Sequence, residues 1–127
     1  QSHSNINPEK SIWQNFSDEQ ELIMLGGRQV NSRAFLSRFN FSGSEQNKSV
    51  NTLSGGQRNR LHLAMTLKEG GNVLLLDEPL AAQDVGSRKR IIEVLKKLAE
   101  AGVSVVVVAH SNESELTWAD KVIKQFL

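Results

Sequence analysis

The chain contains no cysteine, which excludes disulfides and thiolate metal sites and fits a cytoplasmic setting. It has no excess of charge: 15 Lys and Arg against 14 Asp and Glu leave a formal net charge of +1. Only a local patch could then attract nucleic acid or an anionic membrane. It has no long hydrophobic run either. The longest, residues 103–109, is broken by Ser104 and falls far short of the ~20 apolar residues that span a bilayer. The opening Gln1-Ser2-His3-Ser4-Asn5 lacks a signal pattern and an initiator Met, so a processed or excised segment is expected. No internal repeat or low-complexity tract is visible. What is present, 127 residues of which 39% are hydrophobic, suffices for one core, hence one domain or two small lobes.

Periodicity divides the chain near residue 70. Residues 1–8 read as a polar loop and 9–16 as a short helix with Ile12, Trp13 and Phe16 on one face. Residues 21–25 form a short apolar piece stopped by Gly26-Gly27. Asn31 or Ser32 caps a helix through Ala34, Phe35, Leu36 and Phe39, and 42–49 is a polar loop. A helix from Ser54 to about Lys68 buries Leu61, Ala64, Met65 and Leu67 or the Lys68 stem, and Gly70-Gly71 ends it. Beyond it, residues 73–76 are continuously apolar, as in a strand covered on both faces. Residues 86–101 are helical, with Ile91, Ile92, Leu95, Leu98 and Ala99 inward and Lys89, Arg90, Lys96 and Lys97 outward. Gly102 closes that helix, and 103–109 is a second buried strand. A short helix over 112–119 and a last strand within 121–127 complete the pattern. The fold class is therefore α/β: a helical lobe, 1–70, followed by a partial parallel β-α-β-α-β core, 71–127.

Three places could carry chemistry. Ser54-Gly55-Gly56-Gln57 opens a helix, where unpaired N–H groups with partial positive charge suit a phosphate; alone it would be an ordinary Ser cap. Asp77 and Glu78 end an apolar strand, where open α/β sheets place ligands. Adjacent strand residues face opposite ways, so the two acids take different roles: Asp77 suits holding Mg²⁺, and Glu78 suits polarising a water as general base. An isolated Asp-Glu pair would be two solvated charges before a Pro turn. His110 ends the next strand and suits contact with a γ-phosphate, although a lone His there is more often structural. His62 is expected to be a surface or packing residue. No Gly-x-x-x-x-Gly-Lys-Ser/Thr loop occurs; the stretch ending Lys48-Ser49 has Asn47 and Ser42 where glycines are required. Arg28, Arg33, Arg38, Arg58 and Arg60 alternate with Phe35, Phe39 and Phe41, which permits RNA contact. The simpler expectation is a lobe whose aromatics fill its own core.

In order and spacing, Leu53-Ser54-Gly55-Gly56-Gln57, Leu75-Leu76-Asp77-Glu78-Pro79, Asp84 and His110 resemble the signature, Walker-B, D-loop and H-loop elements of ATP-binding cassette (ABC) ATPases. Residues 11–15, 26–41 and 53–64 further resemble the second cassette of ABC-F proteins of the translational-throttle type, which act on the ribosome and have no membrane domain. That resemblance sets Gln1 on the Q-loop glutamine, a Mg²⁺ ligand, so the chain is expected to begin at the Q-loop. From Leu80 the likeness is generic: Leu80-Ala81-Ala82-Gln83-Asp84 replaces the usual Thr-Asn-Asp/His-Leu-Asp, and Ser111 follows His110 where Asp is usual.

The resemblance implies an ATP- and Mg²⁺-dependent cassette that pairs head to tail with a second one. Ser54, Gly55, Gly56, Gln57 and Asp84 would meet the nucleotide, Asp77 and Gln1 the metal, and Glu78 and His110 the reacting phosphate. Little hydrolysis is expected of these 127 residues alone, because they lack the phosphate loop. Two alternatives stand beside it: the ATP-binding subunit of a membrane transporter, and a non-enzymatic chimeric or engineered module.

Overall fold

The computed structural model describes residues 6–25, 27–69, 73–77, 83–101, 104–109 and 122–124, the stretches 73–77, 104–109 and 122–124 as backbone. Gln1, Glu78, His110 and the helix expected over 112–119 lie outside them.

The lobe begins at α1 (Ile12–Ser17). Its start is set by Ser11, whose hydroxyl accepts from the Gln14 amide while the Gln14 side chain accepts from the Ser11 amide. This reciprocal cap places the start later than periodicity alone suggests. A two-stranded antiparallel hairpin follows, β1 (Leu22–Leu25) and β2 (Arg28–Asn31), with Leu25 paired to Arg28. Gly27, at φ +79°, supplies the left-handed turn that so short a connection requires. The lobe is therefore not purely helical, and 21–25 is one arm of a hairpin. Ile23 and Leu25 face in, while Leu22 and Met24 face out.

Asn31 caps α2 (Ser32–Arg38) by accepting from the Ala34 amide at 2.9 Å. Phe39 falls just past its end yet is fully buried. Phe35 stacks between Phe16 and Phe39, with centroids 5.3 and 5.4 Å away. Burying each such ring stabilises the lobe by roughly 1.5–3 kcal/mol. Within the stretch expected to be loop, Ser42 and Glu45 form another capping box and open the single turn α3 (Gly43–Gln46). A 3₁₀ turn, Val50–Thr52, leads into the long helix α4 (Gly55–Glu69).

Helix α4 buries Arg60, Leu61, Leu63, Ala64, Met65 and Leu67, so it is covered on most of its circumference. The Lys68 stem is half-buried, and its ammonium donates to the Phe16 carbonyl and lies 5.6 Å over the Phe16 ring. The α/β part comprises β3 (Val73–Asp77), α5 (Val85–Glu100), β4 (Ser104–Ala109) and β5 (Val122–Lys124). The three strands form a parallel sheet in that order, with Asp77 paired to Val108 and Ala109 to Lys124. Helix α5 buries Ser87, Ile91, Val94, Leu95 and Leu98. Two expectations for α5 fail: Ala99 is exposed and Ile92 only half-buried, while Val94 takes an inward place. At 3.6 residues per turn the stripe through 87, 91, 94, 95 and 98 turns the Ala99 direction to solvent.

Candidate functional site

The Ser54 turn is built from three nested interactions. Leu53 is buried and its amide closes the preceding turn on the Val50 carbonyl, which aims the chain into α4. Ser54 then accepts from the Gln57 amide at 3.1 Å, and the Gln57 carboxamide oxygen accepts from the Ser54 amide at 2.9 Å. The Gln57 Nε2 donates to Glu45 Oε2 at 2.9 Å, and Glu45 Oε1 accepts from the Ser42 amide at 2.8 Å. Both polar ends of Gln57 thus hold the turn in place.

The amides of Gly55 and Gly56 belong to the first turn of α4, which an α-helix leaves without intrahelical acceptors. Gly55 is exposed, with an ordinary φ, and a Cβ added there would meet nothing within 4 Å. Neither strain nor internal packing demands glycine at this position. Its bare backbone lets a ligand approach the helix start, where the dipole favours an anion.

Glu45 sits behind the turn. Burial alone would raise its pKa, but hydrogen bonds from the Ser42 amide, the Gln57 amide group and the Ser42 hydroxyl, with the Arg60 charge, hold it below the usual value. Arg60 is 6% exposed, and its guanidinium lies 4.5 Å over the Phe41 ring. Its Nη1 donates to Gln83 Oε1 at 3.2 Å and to the Ser87 hydroxyl, while its Nε has no partner. Burial lowers its pKa, and the charges of Glu45 and Asp84 oppose that shift.

Asp84 caps α5 by accepting from the Ser87 amide at 2.7 Å. Its pKa is lowered first by that bond and next by the Ser87 hydroxyl, with Arg60 and Arg88 adding smaller attractions. Asp77 is the last residue of β3, at the carboxyl edge of the parallel sheet, where Glu78 follows it in sequence. Ala109 ends β4 at the same edge and precedes His110 in sequence.

Sequence reasoning singled out Ser54 to Gln57 and Asp84 but missed what joins them: Arg60, Ser87 and the side chains of Gln83 and Glu45. One signal was available for the turn, since Ser-x-x-Glu at 42–45 and Ser-x-x-Gln at 54–57 both spell a capping box. Two of the basic residues of the lobe pack on its aromatics, while Arg28, Arg38 and Arg58 are exposed. Arg33 lies 4.3 Å over Trp13, Arg60 stacks on Phe41, and Phe35, Phe39 and Phe41 are buried. His62 is half-buried within α4. No described helix is long and apolar enough to cross a membrane.

A glycine-bearing turn at a helix start and a parallel sheet with β3 ending at Asp77 are features of a nucleotide-cassette fold, which solved structures share. A dimeric post-hydrolysis state of the ATP-binding cassette MJ0796, bound to ADP and phosphate, superposes with a TM-score of 0.71 at 26% identity. That match covers 98% of this chain and 55% of MJ0796. A second dimeric MJ0796 structure, that of a bacterial ABC transporter cassette, gives 0.67 at 25% identity over 96% of this chain and 55% of that one.

The sequence model of the ABC transporter family matches residues 1–81, well over half of the chain, and the chain belongs to that family. Its relatives include the energy-dependent translational throttle protein EttA. The Mycobacterium tuberculosis H37Rv protein is 49% identical over 85 residues, which are 67% of this chain and 15% of EttA. The Haemophilus influenzae protein is 47% identical over 85 residues, again 67% of this chain and 15% of EttA. The spermidine/putrescine import ATP-binding protein PotA of Spiroplasma citri is 46% identical over 92 residues, 72% of this chain and 26% of PotA. The chain thus spans 15% of the length of these throttle proteins and 26% of PotA.

Proposed function

We propose that the chain is the signature-bearing part of an ABC ATPase cassette of the ABC-F kind, and that it presents Ser54, Gly55 and Gly56 to the terminal phosphate of an ATP held by a second cassette. In this reading residues 1–70 carry the signature and 71–127 the Walker-B, D-loop and H-loop part of the core. The observation that carries it is the reciprocal Ser54–Gln57 cap, which holds the exposed Gly55 backbone at the start of a 15-residue helix. Ser54 keeps its hydroxyl proton for a phosphate oxygen while its oxygen accepts from Gln57. The Gly55 and Gly56 amides add donors, and Gln57 orients all three.

For its own nucleotide, the donor set of Asp77 and Gln1 suits Mg²⁺, a hard cation that prefers oxygen ligands. Bound there, the ion would neutralise phosphate charge. The end position of Asp77 on β3 supports its share of that set. Glu78 would take the proton of an attacking water, and His110 would donate to the γ-phosphate. Without phosphate-loop amides and lysine these residues lack the main stabilisation of the transferred group, on the order of several kcal/mol, so the 127 residues alone turn over little ATP. By likeness to EttA, the setting is cytoplasmic and the larger partner is the ribosome.

Amide chemical shifts of the ¹⁵N-labelled chain test the reading. With a second cassette that carries a phosphate loop added to hold the nucleotide, MgATP should move the signals of Ser54, Gly55, Gly56 and Gln57, while adenosine should not. Silence at those four amides up to millimolar MgATP with that second cassette present would sink it, and ATP turnover by the isolated chain that is lost in Glu78→Gln would overturn its expected inactivity. Likeness to PotA supports a second reading, the ATP-binding part of an importer, in which the same turn does the same chemistry.

A further inference from the structure

Two segments remote in sequence, the first turn of α4 and the residues that open α5, are held together by the Gln83 side chain. Its Nε2 donates to the Gly56 carbonyl at 2.8 Å, and its Oε1 accepts from Arg60 Nη1 at 3.2 Å. Its backbone carbonyl accepts from Arg88 Nε at 3.1 Å. Gln83 is 6% exposed, so these bonds are made largely out of water, where each counts for more. Arg60 also donates to Ser87, whose hydroxyl accepts from Asn40 Nδ2 at 2.9 Å and whose amide fixes Asp84. The carboxamide is well matched to this place, for it meets a carbonyl with its nitrogen and a guanidinium with its oxygen. A leucine of similar size has neither group.

We propose that Gln83 is a positioning residue: its carboxamide clamps the segment carrying Asp84 to the Gly56 carbonyl, so that the Ser54 turn and Asp84 move as one unit. The consequence for function rests on the nucleotide reading above. A displacement of the Ser54 turn by a phosphate is passed through Gly56 and Gln83 to Asp84, and the reverse holds equally. The acceptor on Gly56 is the carbonyl of the very peptide whose neighbours face the ligand, which makes the path short: one residue of helix and one side chain.

The test needs no nucleotide for its first half. In the 127-residue chain, Ser54→Ala disturbs the turn, and the shift changes it causes at the amides of Gln83 and Asp84 measure the coupling. With Gln83→Leu in place those changes should fall by at least about threefold, as for two sites whose shared partner has been removed. Gln83→Glu keeps an acceptor for Arg60 but loses the donor to Gly56, and should lose the coupling to the same degree. The melting temperature and the Trp13 indole signal separate this from general loosening, since Trp13 bonds Ser32 within the lobe and should not move. Equal changes at Asp84 with and without Gln83 overturn the clamp. In the second half, with a phosphate-loop cassette added to hold the nucleotide, MgATP should shift Ser54 to Gln57 and Asp84 along one curve, and Gln83→Leu should remove only the Asp84 component. A full Asp84 component in Gln83→Leu overturns the clamp. Silence at Ser54 to Gln57 in the unsubstituted chain overturns the nucleotide reading instead, and the Ser54→Ala comparison still decides the clamp.

Discussion

Helices α4 and α5 begin close together but are capped by opposite chemistry. Helix α4 opens on a neutral hydroxyl, Ser54, held by an equally neutral carboxamide, Gln57. Helix α5 opens on a carboxylate, Asp84. Serine and aspartate cap about equally well, so stability does not explain the choice. Electrostatics does. A helix start carries roughly half a positive charge, and Asp84 fills that field from within the chain, whereas Ser54 leaves it for an anion from outside. The acid that Gln57 bonds, Glu45, lies behind it and is already engaged by the Ser42 amide and drawn on by Arg60. One helix start is closed and the other is left open.

The widest break in this arrangement is Arg60→Ala. It removes the stack on Phe41 and the buried bonds to Gln83 and Ser87, for a loss of about 3 kcal/mol read by urea unfolding. Next comes the choice of cap itself. Ser54→Ala should cost about 1 kcal/mol, the usual value for losing an N-cap. Ser54→Asp converts the open start into a copy of the closed one: stability should stay within about 0.5 kcal/mol of the original, while the response to MgATP disappears. A MgATP response that survives Ser54→Asp would show that the phosphate does not meet this turn.

Acid separates the two starts further. Asp84 and Glu45 have folded-state pKa values below their ordinary 3.8 and 4.5. Their contributions are therefore complete above those values and are lost as pH falls through the lower folded values. Ser54 has no charge to lose. On acidification below about pH 4 the start of α5 should loosen directly, and that of α4 only through the Glu45–Gln57 bond. Amide shifts followed against pH check this, and Asp84→Asn should remove the Ser87 step while leaving that of Gln57.

How much of this was legible in the residues follows from the range of each interaction. The signature helix, the strand ending in Asp77 and the parallel β-α-β order were readable, because apolar period and local caps act over a few residues. The hairpin was not: Leu22–Leu25 is continuously apolar and alternates only in burial, its partner Arg28–Asn31 is polar and mostly exposed, and only Gly26-Gly27 marked the turn. The one-turn α3 was hidden in a polar stretch whose capping box was there to be read. Of the site, the exposed turn was visible and its support was not. Arg60 stood out only as one of five arginines among the lobe's aromatics, yet it is bound to Gln83 and Ser87, more than twenty residues away, by contacts that no local pattern encodes.

The smallest expected effect concerns the face of α5. Inward Ser87, Ile91, Val94, Leu95 and Leu98 define one stripe, and Ala99 stands outside it, exposed. Alanine and lysine both favour helix, and position 99 lies in the last turn, where a positive charge suits the dipole. Ala99→Lys should therefore change stability by no more than about 0.5 kcal/mol, whereas Val94→Ala at an inward position should cost about 1–2 kcal/mol. Chemical unfolding of the pair decides between this stripe and the one that puts Ala99 inside. A large loss at 99 with none at 94 would mean that α5 is rotated by about 100°, one residue's turn, and the contacts of Ser87 with Arg60 and Asn40 would go with it.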